Sequence, residues 1–137
     1  MPLHLVVAAV CLRDDAGRLL SVRKRGTSAF MLPGGKLEPG ETPLQAAARE
    51  AHEEVGVEVG SLELLGEFHS AAANEPGATL TSTVFTAELP GGPGTVVASG
   101  EIAELRWLDL ADLPTDVPIA PLLAGHVAPA LLALDAR

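Results

Sequence analysis

The sequence predicts one α/β domain, and three observations predict it. A stretch near the middle carries the start and stop signals of a helix. Around it lie short runs rich in Val, Leu and Thr, separated by Gly, Pro and Asp turns. The chain is 137 residues long with 47% hydrophobic residues, and Gly and Pro are spread throughout rather than clustered. That length suits one domain able to bury about two thirds of its unfolded surface, and the composition reads as globular. No internal repeat or low-complexity tract argues for anything else.

In chain order, Leu3 to Leu12 is apolar, Asp14 to Gly17 is turn chemistry, and Arg18 to Val22 is apolar again, which predicts a β-hairpin. Arg23, Lys24, Arg25 and Gly26 follow as the chain's basic cluster. It reads either as a solvated hairpin end or as an electrostatic handle for a phosphate. Phe30 to Leu32 reads as a short strand stopped by Pro33, Gly34 and Gly35, where a sharp turn is expected and backbone can approach a ligand closely. Beyond the helix, Leu62 to Ser70 and Leu80 to Leu89 have strand composition and are assigned to a mixed sheet. Between them, Ala71 to Thr79 contains Asn74, Glu75, Pro76 and Gly77, a loop that either simply turns or reads a base or sugar. After the breaker-rich 89–95 segment, Glu101 to Leu110 returns to strand character. Ala120 to Leu134 is rich in Ala and Leu with Gly125 and Pro129 inside, which predicts one kinked helix or two short ones.

The central helix is the best-specified element. Thr42 is a good N-cap, Pro43 suits the first helical position, Gln45 completes a capping box, and Gly56 supplies a left-handed stop. At about 100° per residue, Leu44, Ala47, Ala48, Ala51 and Val55 share an apolar arc expected to face the core. Glu50, Glu53 and Glu54 fall on the neighbouring arc, with Ala46 between them leaving space above the carboxylates. Three acids so placed repel one another, and they sit toward the negative end of the helix dipole. Arg49 reaches Glu53 one turn away, yet one guanidinium cannot neutralise three carboxylates. A hard divalent cation can, and Mg2+ typically pairs one or two carboxylates with a substrate phosphate. An arbitrary acidic triplet is ordinarily a solvated face, so spacing alone does not decide the matter.

The wider pattern does. Gly35, Glu41, Arg49, Glu50, Ala51, Glu53, Glu54, Gly56 and Val57 resemble the Nudix hydrolase signature G-x5-E-x7-R-E-U-x-E-E-x-G-U, where U is a bulky aliphatic residue. Ala51 is the one departure, and it shrinks a core contact without touching the chemistry. The resemblance implies an α/β/α sandwich around a mixed sheet. It also implies Mg2+- or Mn2+-dependent hydrolysis of the pyrophosphate in a nucleoside diphosphate linked to another group. Glu50, Glu53 and Glu54 would be metal ligands, with the Gly35 carbonyl as a further one. Glu53, Glu54 or Glu101 would accept a proton from water, Glu101 being preferred over Glu104 as the glutamate outside the signature. Arg49 would fix the carboxylates, and Arg23, Arg25 and Lys36 would hold phosphate. A sensing domain that binds a nucleotide sugar without cleaving it is the alternative, and the full set of carboxylates argues against it. By family analogy a homodimer is also open, although nothing in the sequence specifies an interface.

Composition narrows the partners. The net charge of −9 argues against general nucleic-acid backbone binding and leaves a small nucleotide as the expected partner. Cys11 is the only cysteine, so no internal disulfide forms, and its apolar surroundings suit a buried thiol. The N-terminus shows no basic leader and too short an apolar run to span a bilayer. A soluble cytoplasmic protein with no membrane partner is the expectation. The four histidines have no zinc-like spacing.

Overall fold

The computed structural model describes residues 3–137; Met1 and Pro2, where the expected leader-free N-terminus begins, lie outside the described residues. Strands β1 (His4–Cys11), β3 (Gly34–Lys36), β4 (Leu62–Ala71) and β5 (Thr79–Ala87) form one sheet in the order β3-β1-β5-β4. Within it β1 and β5 run parallel while the outer pairs are antiparallel, the mixed sheet anticipated. Strands β2 (Leu19–Lys24) and β6 (Ile102–Leu108) form a separate antiparallel pair.

Helix α1 (Pro43–Val55) begins and ends as its signals require. Thr42 Oγ1 accepts from the Gln45 amide, Gln45 Oε1 accepts from the Thr42 amide, and Gly56 closes the helix at φ 72°. Alternation along β1 then divides the core. Val10 and Leu12 pack with Ala51 and Val55 of α1, and Ala8 packs with Ala46 and Ala47. Ala9 and Cys11 face the other way, toward Leu123, Val127, Ala128 and Leu131. A strand apolar on both sides is a central strand. Helices therefore cover both faces of the sheet, which is the sandwich expected. Fully burying each such Val or Leu contributes about 1.5 to 3 kcal/mol before entropy is counted.

Four local readings change. The turn at 14–17 closes as a hairpin would, with Leu20 N–H donating to Leu12 O at 2.9 Å and Asp14 N–H to Arg18 O at 3.0 Å. Past it the two strands part, because both edges of β1 are taken by β3 and β5 while β2 pairs with β6. The run 30–32 makes only isolated bridges, to Val22 and Ile119. Pro33-Gly34-Gly35 is not a sharp turn but the entry to β3 on β1. Its glycines serve close approach: a Cβ on Gly34 would overlap the Ala8 carbonyl, and one on Gly35 would overlap the Glu50 carboxylate. On α1 the buried arc is rotated from the expected one. Leu44 is 45% exposed, whereas Ala46 is fully buried, so Ala46 packs on the sheet instead of leaving open space.

At the C-terminus the break falls where Pro129 predicts it. A π-turn, Leu123–Val127, precedes α2 (Ala128–Asp135), and Ala128 N–H reaches back five residues to Leu123 O. Proline lacks an N–H and crowds the carbonyl four residues earlier, and the wider turn relieves that contact. Arg13 clamps the far end of α2 through two bonds to Asp135, at 2.8 and 2.7 Å. Among the described residues, no helix is long and apolar enough to cross a membrane.

Candidate active site

The rotation of α1 carries Glu54 inward. Glu54 is 6% exposed, an unusual position for a carboxylate unless it is paired. Its Oε1 accepts from the Gly34 amide at 3.0 Å, and its Oε2 stands 3.8 Å from Lys24 Nζ. Burial pushes its pKa up to about 7. The Gly34 N–H and Lys24 pull the other way, and neighbouring Glu50 and Glu101 add to the rise. Glu50 is raised as well, chiefly by burial and then by the hydrogen bond it shares with Glu53, against the pull of Arg49. Glu53 projects outward, with its side chain 54% exposed.

Arg49 is the hub of this end. Its Nε and Nη2 grip Glu41 at 2.7 and 2.9 Å, its Nη1 touches Glu50 at 2.6 Å and Glu53 at 3.2 Å, and Nη2 also donates to the Lys36 carbonyl at 3.1 Å. A planar fork suits this work, since it serves one carboxylate bidentately and still reaches others. The Arg49 bond holds the Glu41 carboxyl down to about 2, helped by the Glu38 amide, and Glu41 in turn holds the guanidinium well above its usual range. Glu41 thus anchors the arginine that arranges the other acids.

These groups stand at one end of a cleft of about 1200 Å3. Its lining includes Glu50, Glu53, Glu54, Glu101, Gly35 and Lys36. Glu104 does not line it; it pairs with Arg23 Nε at 3.0 Å, and Arg23 also donates to the Thr27 carbonyl. Arg25 donates to the Gly100 carbonyl and is likewise absent from the lining. The three residues of the basic cluster are placed differently. Lys24 is the member of the basic cluster that enters the cleft, while Arg23 and Arg25 are spent on the β2–β6 edge. Alternation offered the signal: Leu20, Val22 and Lys24 share one face of β2, and Leu20 and Val22 pack with α1.

The other end of the cleft is aliphatic, formed by Leu5, Val7, Leu80, Leu122 and Leu123 with the loop Ala71 to Glu75 beside it. No aromatic ring lines it among the described residues. Phe68 lies 5.9 Å from the His126 ring and Phe30 lies under Arg106, so none of the aromatic residues offers a stacking surface there. His69 bonds Thr81 on the exposed sheet face, and His52 is exposed at the cleft's margin. Cys11 is buried with its thiol pushed up to about 12, which rules out a thiolate nucleophile.

The donor set can be tested against a metal ion. Six glutamates line the cleft (Glu38, Glu50, Glu53, Glu54, Glu75, Glu101) against Lys24, Lys36 and Arg49, and every acidic donor is a hard oxygen. That chemistry fits Mg2+ or Mn2+ and not a soft ion. The absence of a Cβ at Gly35 lets the strand backbone lie against the Glu50 carboxylate. Among the described residues no three acidic or imidazole side chains already form a cage. Arg49 Nη1 sits between Glu50 and Glu53 and does part of the neutralising itself.

Comparison with known proteins agrees with the geometry. The NUDIX domain family matches residues 2–127. A "MutT-like protein" of Streptomyces ambofaciens is 38% identical over 108 residues, covering 78% of this chain and 65% of the relative. An "ADP-ribose pyrophosphatase" of Methanocaldococcus jannaschii is 31% identical over 115 residues, covering 82% and 66%. The chain thus spans about two thirds of the length of these curated relatives. The solution structure of the E. coli ORF135 protein superposes with a TM-score of 0.73 at 26% identity, covering 98% of this chain and 92% of that one.

Proposed function

The chain belongs to the Nudix hydrolase family, and from that premise we propose that it hydrolyses the pyrophosphate bond of a nucleoside diphosphate linked to another moiety, with Mg2+ or Mn2+. The observation that carries this reading is Glu54, a buried carboxylate tied to the Gly34 amide beside Glu50 at the acidic end of the cleft. Burying an acid costs stability unless a counter-charge answers it. Lys24 at 3.8 Å answers only in part.

Glu50, Glu53 and Glu54 would hold the metal, with the Gly35 carbonyl as a further donor. When bound, it would supply Lewis acidity toward phosphoryl oxygens and acidify a bound water. The chain's own groups do the rest. Lys24 and Lys36 face the cleft and would take non-bridging phosphate oxygens. Water attacks one phosphorus, the bond to the bridging oxygen breaks, and the water's proton passes to Glu53, Glu54 or Glu101. Burial raises the Glu54 carboxyl to about 7, which suits a general base. Arg49 acts at one remove, holding Glu50 and Glu53 while anchored on Glu41. The name of the archaeal relative, a pyrophosphatase of ADP-ribose, supports the bond cleaved more than the group attached. A single buried thiol suits a reducing, cytoplasmic setting.

The test is product analysis with purified protein, Mg2+ or Mn2+, and a panel of nucleoside triphosphates and nucleotide sugars. Metal-dependent release of a nucleoside monophosphate is expected. Glu53→Gln should lower turnover far more than threefold, since loss of a ligand or its support costs about 10- to 100-fold or more. A Glu53→Gln enzyme within threefold of wild type would end the metal-carboxylate account.

A further inference from the structure

Strand β4 is the outer strand of the four-stranded sheet, paired with β5 on one side only. Its register with β5 is unbroken from Gly66 opposite Val84 to Ala71 opposite Thr79, and its bulge falls earlier, between Leu64 and Gly66. Just past its end, Ala72 N–H donates to Ala78 O at 3.0 Å, whereas Thr79 N–H turns away to Leu3 O at 2.9 Å. Bonded and non-bonded pairs alternate along an antiparallel ladder, so Ser70, Phe68 and Gly66 spend their main-chain groups on β5. Glu67, His69 and Ala71 therefore turn theirs outward. An edge of this kind is ordinarily guarded by Lys, Pro or a bulge, and residues 66–71 carry none of them.

The side chains on this edge match one another under a two-fold axis. Glu67 and His69 share the α1 face of the sheet, since they pair with Thr83 and Thr81, which lie opposite Ala8 and Val6. Helix α1 packs on Ala8 and Phe85, and beyond it Val6, Glu67 and His69 are exposed. His69 Nδ1 is tied to Thr81 Oγ1 at 3.1 Å, which orients the ring. Its Nε2 stands 3.8 Å from Glu67 Oε1 of the same strand, too far for a hydrogen bond.

We propose that β4 is a homodimer edge: a second copy of this chain pairs antiparallel with it about a two-fold axis at Phe68, with Glu67 of each copy opposite His69 of the other. In that register both members of each pair are outward-turned residues and exchange both main-chain bonds. Axes at Glu67 or at His69 set like against like and lose the acid–imidazole match. A foreign strand can use the same main-chain groups, but a mutual match about one axis is a property of a chain meeting itself. The C-terminal helix is centred over β1 and β5, on Ala9, Cys11 and Val84, inboard of the edge. The pairing also carries Ala72 and Ala73 of one copy past Leu64 of the other, a side chain that is 64% exposed. Those alanines open the loop that borders the cleft, so the second copy braces it. A contact limited to one strand pair and a loop falls below the about 1,200–2,000 Å2 of stable interfaces, which makes association micromolar or weaker.

The experiment is sedimentation velocity of the purified, metal-free chain from about 1 to 500 µM, a range suited to weak association. Wild type is compared with His69→Pro, His69→Glu and the double variant Glu67→Lys/His69→Glu, with melting temperatures read at the dilute end. Wild type should show a reversible monomer–dimer equilibrium. His69→Pro removes an outward N–H that β5 does not use, and His69→Glu sets acid against acid. Each should weaken association at least about tenfold with the chain still folded when dilute. The double variant restores opposite charges across the axis and should recover the dimer. If His69→Pro does not fold, His69→Glu and its charge-swapped rescue carry the same expectation. A wild type that stays monomeric throughout overturns the proposal, as do single variants that associate like wild type or a double variant no stronger than His69→Glu. The readout needs no substrate, so the dimer edge and the proposed reaction fail separately.

Discussion

The two ends of the cleft are built on opposite physical terms. At the acidic end the helix carboxylates are held within the chain: Glu41, Glu50 and Glu53 converge on Arg49, and Glu54 is held by the Gly34 amide. At the aliphatic end, Leu5, Val7, Leu80, Leu122 and Leu123 present side chains that pack by shape alone. An end whose partners are fixed within the chain can be arranged before substrate arrives. An end walled by aliphatic side chains leaves its polar contacts to the neighbouring loop and the ligand. The first suits a reaction shared across a family, and the second suits discrimination among substrates.

This contrast can be broken most forcefully at Glu54. Glu54→Gln keeps an oxygen for the Gly34 amide and removes the charge, so kcat should fall at least about 100-fold. Folding should not suffer: the Glu54 carboxyl sits near 7 rather than its usual 4.5, so at pH 8 the native state carries a penalised charge that glutamine lacks. A lower melting point at pH 8 would mean that the carboxylate is a structural anchor. Gly35→Ala comes next, because its Cβ would overlap the Glu50 carboxylate. Activity should drop about 10- to 100-fold through displacement of Glu50, read as kcat against KM. Arg49→Lys should cost about tenfold or more in kcat, since an ammonium cannot grip Glu41 bidentately and still reach Glu50 and Glu53.

The pH dependence sharpens the same contrast. A folded pKa raised to about 7 favours the native state fully below the unfolded value near 4.5. That contribution fades as pH rises through 7, so Glu54 makes the metal-free protein less stable at pH 8 than at pH 6. Metal requires the ionised form. The gain in melting temperature on adding Mg2+ or Mn2+ should therefore grow between pH 6 and pH 8. Glu41 acts in a lower window. Its pKa is depressed to about 2, so its stabilising share is present above 4.5 and is lost as pH falls toward 2. The smallest effect lies outside the cleft: Thr42→Ala removes the cap on Gln45 and should cost about 1 kcal/mol, with no change in KM.

The division between the ends also explains what the sequence could reveal. The acidic end is local. Cap, stop, carboxylates and the arginine lie within one helix and its leading loop, where periodicity and spacing speak directly. The orientation of that helix was harder to foresee. Leu44 is the bulkiest apolar residue on it and was expected inward, but the close approach of Ala46 and Ala47 to Ala8 turns the small residues toward the sheet and carries Glu54 with them. Lys24 is one of three adjacent basic residues, and only the alternate facing of β2 toward α1 distinguishes it from Arg23 and Arg25. The aliphatic end is non-local, since Leu5, Leu80 and Leu122 meet only through the β1–β5 pairing and the packing of the C-terminal helix.

Manganese binding followed by electron paramagnetic resonance tests the central claim most directly, because it reports on the carboxylates without requiring the right substrate. The account predicts a bound Mn2+ population in the wild-type protein that weakens below pH 7 and falls by at least about tenfold in affinity in Glu54→Gln. Equal Mn2+ affinity in the two proteins would contradict it.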